Sequence, residues 1–302
     1  MAATELKMEL EWVYTNADAL RFVDSFKAMM NASLCPAVLV PYLMLDCRSV
    51  LKRVLDTADL MELSRIPVDA RCVVSCLVAL GLYTSEYGVH QPLNKAMREG
   101  DERTAKKLAP LICDLSTLLE ALPQVKTVTF RGEQHLHPEL RGDTITFRSF
   151  LSTTKELNAC LGFVPGSGRF GTVFLVQGCN GRYVDRLSPN QEVLFPPRKK
   201  FHVISKMSPV VRSVLGLPYH VVTIREQGFI PTAEDVAKTI RSSEIFYESV
   251  TRFSAPKVRD VTDRTAPSKV SRRCCFPRGR RFTSLRRCRP LCDRFLGYHT
   301  AS

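Results

Sequence analysis

Three short segments hold the side chains able to do chemistry: Thr129-Phe130-Arg131-Gly132, then Phe147 to Thr154, then Asn190 to Pro197. Each sets polar groups at the edge of a β-prone run. Arg131 offers a planar, always-charged donor fork of the kind that grips a pyrophosphate. Ser152, Thr153 and Thr154 offer hydroxyls, and Glu192 offers a carboxylate. A carboxylate beside a sugar ring stabilises the positive charge that develops when a glycosidic bond breaks. Brought together, the three segments would bind a dinucleotide and labilise one of its ribosyl bonds. Taken singly, each has a plainer explanation: an Arg on the polar side of a strand, a Ser/Thr-rich strand end capping the turn or helix over Lys155–Leu161, and a solvent-facing Glu at a strand start.

These residues need strand ends to hold them. After Pro123 apolar and polar residues alternate, the period of half-buried strands. Runs at Val125–Phe130, Thr144–Phe150, Gly171–Val176, Val193–Phe195, Phe201–Ser205 and Tyr219–Ile224 are separated by Gly, Pro and Asn turns. Before Pro123 apolar residues recur at three and four, the helical period. The spacing predicts helices over Leu10–Ala32, Arg48–Ser64, Val68–Tyr83, Gln91–Glu99 and Thr104–Leu122. Pro231 and Thr232 open one more, with Asp235 placed to complete a capping box. Helices first and strands second imply an α+β fold. The expected organisation is one domain over residues 1–254: a helical part (1–123), a β core (124–230) and a C-terminal helix (231–254).

The chain's 302 residues, 45% hydrophobic and 24% charged, suffice for a sizeable core and exclude a disordered chain. No apolar run reaches the roughly 18 to 20 residues of a membrane-spanning helix. The longest, Cys35–Leu45, is broken by Pro36 and Pro41. Charges interrupt the apolar positions of the first ten residues, so no secretory leader is expected and the cytosol or nucleus is the anticipated location. Eleven cysteines, an odd number, argue against a fully paired extracellular framework. Seven are scattered through apolar segments as small buried hydrophobes.

Charge is concentrated at one end. From Pro256 onward thirteen Lys or Arg face three Asp, so +10 of the net +13 lies there and +3 elsewhere. This stretch (255–302) reads as a disordered tail. Its 257–294 basic run suits nucleic acid, an import receptor or anionic lipid, and equally a solvated tail with no partner. Cys274, Cys275, Cys288 and Cys292 lack the two spaced pairs typical of structural zinc.

With these residues laid out, the chain resembles the mono-ADP-ribosyltransferases of the Arg-Ser-Glu class, which include cholera-toxin-like toxins and vertebrate ectoenzymes. The resemblance rests on Thr-Phe-Arg131-Gly132, Phe147-x-Ser-Phe-x-Ser152-Thr153-Thr154 and Glu192-Val-Leu-Phe-Pro. Leu82–Arg98, where a Tyr-Thr turn precedes Asn94-x-Ala-x-Arg98, extends it upstream to give a coverage of Val68–Ile224. It implies an N-terminal helical part packed on a split two-sheet β core, and NAD as substrate with no metal. Nicotinamide leaves and ADP-ribose passes to a protein side chain. By the same resemblance Arg131 holds NAD, Ser152 orients and Glu192 stabilises the ribosyl cation. Gly132 lets backbone approach the nicotinamide amide, Thr153 touches the cofactor, and Phe163 or Phe170 stacks on a ring from the loop over NAD.

Arginine-modifying members carry Glu-x-Glu, and here the first Glu is replaced by Asn190, which cannot serve as a base. Asn190 and Ser188 are the acceptor-side candidates, with Asp185 and Arg186 in the same loop. Transfer to another side chain, hydrolysis of NAD by water, and a decayed core whose basic tail binds nucleic acid all remain open. Gly166-x-Gly168-x-x-Gly171 matches a dinucleotide-fold pattern in letters, but it precedes a strand instead of opening a helix and is set aside. His90, His135, His137, His202 and His220 call for no special role.

Overall fold

The computed structural model describes residues 2–56, 63–66, 68–134, 143–164, 171–184, 187, 192–207, 219–237 and 241. The basic tail lies outside the described residues. Among the described residues seven α-helices come first: α1 (Ala3–Thr15), α2 (Asp24–Asn31), α3 (Val40–Asp56), α4 (Ala70–Thr84), α5 (His90–Glu99), α6 (Glu102–Lys107) and α7 (Ala109–Ala121). The strands are β1 (Gln124–Glu133), β2 (Thr144–Phe147), β3 (Leu151–Thr154), β4 (Gly171–Tyr183), β5 (Glu192–Phe195), β6 (Lys199–Lys206) and β7 (Tyr219–Glu226). A short α8 (Leu157–Gly162) follows β3.

Strand order is β1-β3-β5-β4-β7-β6-β2, and β1 also pairs with β4. The β core therefore has two parts that share β4: a closed ring β1-β3-β5-β4 and a wing β4-β7-β6-β2. All pairings are antiparallel except β4 with β7. Ring closure matters for function because it brings the ends of β1, β3 and β5 side by side.

α4 is the axis of the helical layer. Twelve of its residues are buried, from Ala70 to Thr84, and Asp69 caps its first turn by accepting from the Cys72 amide at 2.7 Å. One apolar cluster joins this layer to the β core, running from Leu6 and Phe26 through Leu77 to Phe150, Val184 and Leu194. Two smaller clusters pack the sheet itself, one around Phe130, Val173 and Val221, the other around Phe147, Phe174 and Phe195.

Several boundaries depart from the periodic reading, each for a local reason. The single helix expected over Leu10–Ala32 is α1, a 3-10 segment (Ala17–Phe22) and α2. Thr15 Oγ1 and Asn16 Nδ2 donate back to the Glu11 and Trp12 carbonyls, ending α1 through side-chain competition for backbone groups. α3 begins at Val40 and not Arg48, because Pro41 sits in the first turn, where a missing N–H costs nothing. The run Thr144–Phe150 divides: β2 stops at Phe147, and Leu151–Thr154 forms a separate strand. β4 continues past Val176 to Tyr183, because a Cβ on Gly178 would lie 2.3 Å from the Phe195 ring. The glycine permits close approach there instead of breaking the strand. The capping box at Thr232 and Asp235 is present, with reciprocal bonds at 2.8 and 3.2 Å, and residues 233–237 are helical.

Candidate active site

Arg131, Ser152 and Glu192 come from β1, β3 and β5, three consecutive strands of the ring. In the β3–β5 pair Thr154 faces Glu192 and Ser152 faces Leu194. Ser152 and Thr154 share a face, so the Ser152 hydroxyl reaches Glu192 diagonally and donates to its Oε1. Arg131 Nη1 donates to the Ser152 carbonyl at 2.6 Å, and its Nε to Glu133 Oε1. One guanidinium thus ties β1 to β3 at the point where β3 holds the carboxylate.

Electrostatics in this cluster balance burial against pairing. Burial pushes Glu192 above the ordinary carboxylate range, while the Ser152 hydrogen bond and the Arg131 charge pull it back. Burial likewise opposes the charge on Arg131, but Glu133, Tyr83 and Glu192 outweigh it, so the guanidinium is held more firmly protonated than in water. With Glu192 only 8% exposed, its carboxylate acts in a medium where a nearby positive charge counts for much more than in bulk water.

The remaining expected residues fall in different places. A Cβ at Gly132 would lie 2.3 Å from the Cys160 carbonyl, so the glycine admits α8 against β1. Thr153 is 4% exposed and faces away from Ser152, and its hydroxyl donates to the Val193 carbonyl at 2.8 Å. That bond fastens β3 to β5. Phe163, next to Gly132, stands 64% exposed. Phe170, Asp185, Arg186, Ser188 and Asn190 lie outside the described residues.

Four further residues border the trio. Tyr83 packs edge-on to Phe150 at 5.6 Å, and its hydroxyl accepts from Asn94 Nδ2 at 2.9 Å. Burial raises the Tyr83 phenol, and the Glu192 charge raises it further. The His90 imidazole is shifted below its ordinary range, first by burial and then by Arg131, although a bond to the Tyr83 backbone opposes the shift. Glu133 completes the set. The Tyr83 and Asn94 signal lay in the Leu82–Arg98 stretch, whereas nothing in the sequence distinguished His90 or Glu133 from ordinary surface residues.

Residues 70–214 match the family model described as NAD:arginine ADP-ribosyltransferase. Over those residues, just under half of the chain, the protein is similar to the mono-ADP-ribosyltransferases. The match supports an enzyme that acts on NAD and modifies a protein acceptor. No curated protein matches the chain. Among solved structures, the type III effector XopAI from Xanthomonas axonopodis pv. citri is 18% identical over 74% of this transferase and 91% of that chain, TM-score 0.48. Vis toxin from Vibrio splendidus is 20% identical over 58% and 78%, TM-score 0.42. Exoenzyme S from Pseudomonas aeruginosa, in a complex with human 14-3-3 protein beta and bound to carba-NAD, is 20% identical over 65% and 97%, TM-score 0.43. Likenesses this distant carry no weight of their own, and the similarity rests on the matched residues 70–214. No helix among the described residues is long and apolar enough to cross a membrane.

Proposed function

We propose that the transferase reaction takes place at Glu192, with Ser152 positioning it and Arg131 holding the NAD pyrophosphate. The observation that carries this is the single cluster formed by three distant segments: Ser152 donates to Glu192 while its carbonyl receives Arg131. The bond between nicotinamide and ribose breaks with its electron pair leaving on nicotinamide. The ribosyl cation then faces the Glu192 carboxylate, which gains more as that charge develops than it does in the ground state. An acceptor nucleophile adds to the anomeric carbon and loses its proton. Phe163, exposed beside Gly132, stacks on a ring of NAD, while Thr153 serves the strands and not the cofactor.

The acceptor is not arginine. A guanidinium stays protonated near neutrality and needs a base beside it, and an amide at position 190 supplies none. A different side chain takes the ADP-ribose, and water competes for it, giving NAD hydrolysis. Labelled NAD incubated with the enzyme and a cell lysate separates these outcomes, because label becomes protein-bound in the first and appears as free ADP-ribose in the second. If Glu192→Gln releases nicotinamide at the wild-type rate, the assigned site is wrong.

Residues 1–254 act as one catalytic domain, and the 257–294 tail carries it to a polyanion, nucleic acid or an anionic membrane. Removing 256–302 abolishes salt-sensitive binding to DNA or to phosphatidylserine vesicles and leaves nicotinamide release intact. The seven described cysteines form no disulfide with one another, which suits a reducing cytosol or nucleus.

A further inference from the structure

We propose that Cys72, Cys76 and Asp114 form a binding site for a thiophilic divalent cation, zinc above all, in the helical layer and apart from the catalytic cluster. Their two Sγ atoms and a carboxylate oxygen all lie within 4.8 Å of one another. Around tetrahedral zinc, with Zn–S about 2.3 Å and Zn–O about 2.1 Å, donor atoms stand about 3.5 to 3.8 Å apart. Closing on the ion therefore takes side-chain rotation of about an ångström and no rearrangement of helices.

The scaffold is suited to it. Cys72 and Cys76 are four residues apart on α4, one above the other on a single face. Asp114 comes from α7, which packs on α4. The Ser25 hydroxyl on α2 and the Ser75 hydroxyl on α4 both donate to Asp114 Oδ2, the latter at 2.5 Å. This fixes the carboxylate as outer partners fix metal ligands, and the two serines engage one of its two oxygens. Cys76 is fully buried, while Cys72 and Asp114 are half-buried, so the cluster is reachable from solvent on one side. Two thiolates with one carboxylate select zinc over magnesium or calcium, which demand oxygen.

Binding exchanges two thiol protons for one cation and pins α4 to α7. The same helix carries Tyr83, about 16 Å further along its axis, where it supports Phe150 beside the Ser152 strand. The ion thus braces the helix that backs the active site without entering it.

The test uses the full chain with Cys274, Cys275, Cys288 and Cys292 changed to serine, so that tail thiols contribute nothing. The reduced, chelator-stripped protein is titrated with Zn²⁺ and with Co²⁺. One equivalent of either, a thiolate-to-cobalt charge-transfer band, and a higher Tm in the zinc form are expected. Cys72→Ser, Cys76→Ser and Asp114→Asn each weaken binding about 10-fold or more. Asp114→Asn keeps an acceptor for Ser25 and Ser75, so its loss of affinity is not a loss of fold. Absence of stoichiometric uptake, a missing charge-transfer band, or unchanged affinity in any of the three variants overturns the proposal.

Discussion

Two carboxylates among the described residues, buried Glu192 and half-buried Asp114, are held by serine hydroxyls, and they differ in what stands on their other side. Glu192 receives Ser152 and lies within the field of Arg131. Asp114 receives Ser25 and Ser75, and its remaining neighbours are two thiols and the like-charged Asp24. Burial raises both acids, and hydroxyls pull both back. A serine-anchored carboxylate is therefore no signature of catalysis by itself. The guanidinium beside buried Glu192 favours its anion, and on the proposed assignment it is this third member that separates a reacting group from a strut between helices.

The sharpest way to break that contrast is to neutralise each acid in turn. Glu192→Gln is expected to lower nicotinamide release by about 100-fold or more, the range for removing a charge partner of a transition state. Asp114→Asn is expected to leave release unchanged. The same pair reads stability in the opposite sense. A carboxyl raised in the folded state favours its protonated form, so its stabilising contribution holds at low pH and is lost as pH rises through the raised value. At neutral pH ionised Glu192 is a burden on the fold, and Glu192→Gln should raise Tm while it destroys turnover. A fall in both would show that the carboxylate is structural.

Arg131→Lys tests the third member. A lysine carries the charge but lacks the fork that reaches the Ser152 carbonyl and Glu133 together. An increase in the KM for NAD of roughly 10-fold, with Glu192 titrating at higher pH, is expected. Activity equal to wild type would mean that point charge suffices and the geometry is incidental.

Ser152→Ala has a smaller, more diagnostic effect. Turnover requires ionised Glu192, so the acid limb of the pH–rate profile lies above the ordinary glutamate value and rises with pH. Removing the hydroxyl withdraws one of the two groups that lower this value, moving the limb toward higher pH. An unchanged limb with a lower plateau would assign Ser152 to substrate contact alone.

How much of this was readable in advance follows the range of the forces involved. The trio was legible because each member sits in a short local signature at a strand edge, and its order along the chain survives without coordinates. The helical layer was legible in outline, since α4 writes its burial as period. Glu133 escaped notice because an acid two residues from an arginine is unremarkable until the pleat puts both on one face. The bond from Thr153 to β5 escaped notice for the same reason: β3 begins at Leu151, which no breaker residue announces, so the alternation of its side chains had no fixed origin. Cys72, Cys76 and Asp114 meet through the packing of α4 on α7, a contact of about forty residues' separation that periodicity does not encode.

The smallest expected effect is also the closest parallel to Ser152. Ser75→Ala removes one of two hydroxyls on Asp114 and leaves Ser25 in place, so the acid keeps one donor and its half-exposed oxygen keeps water. A hydrogen bond of this kind contributes about 1 kcal/mol, which in a domain of this size shifts Tm by about 2 to 4 °C. Nicotinamide release and its acid limb should both stay where they are, because nothing on Asp114 touches Glu192. The two serines thus make similar bonds to similar acids, and only one of them moves a pH profile. A shifted limb in Ser75→Ala would mean that the helical layer transmits its electrostatics through α4 to Tyr83 and the cleft, and that the two carboxylates are parts of one coupled system.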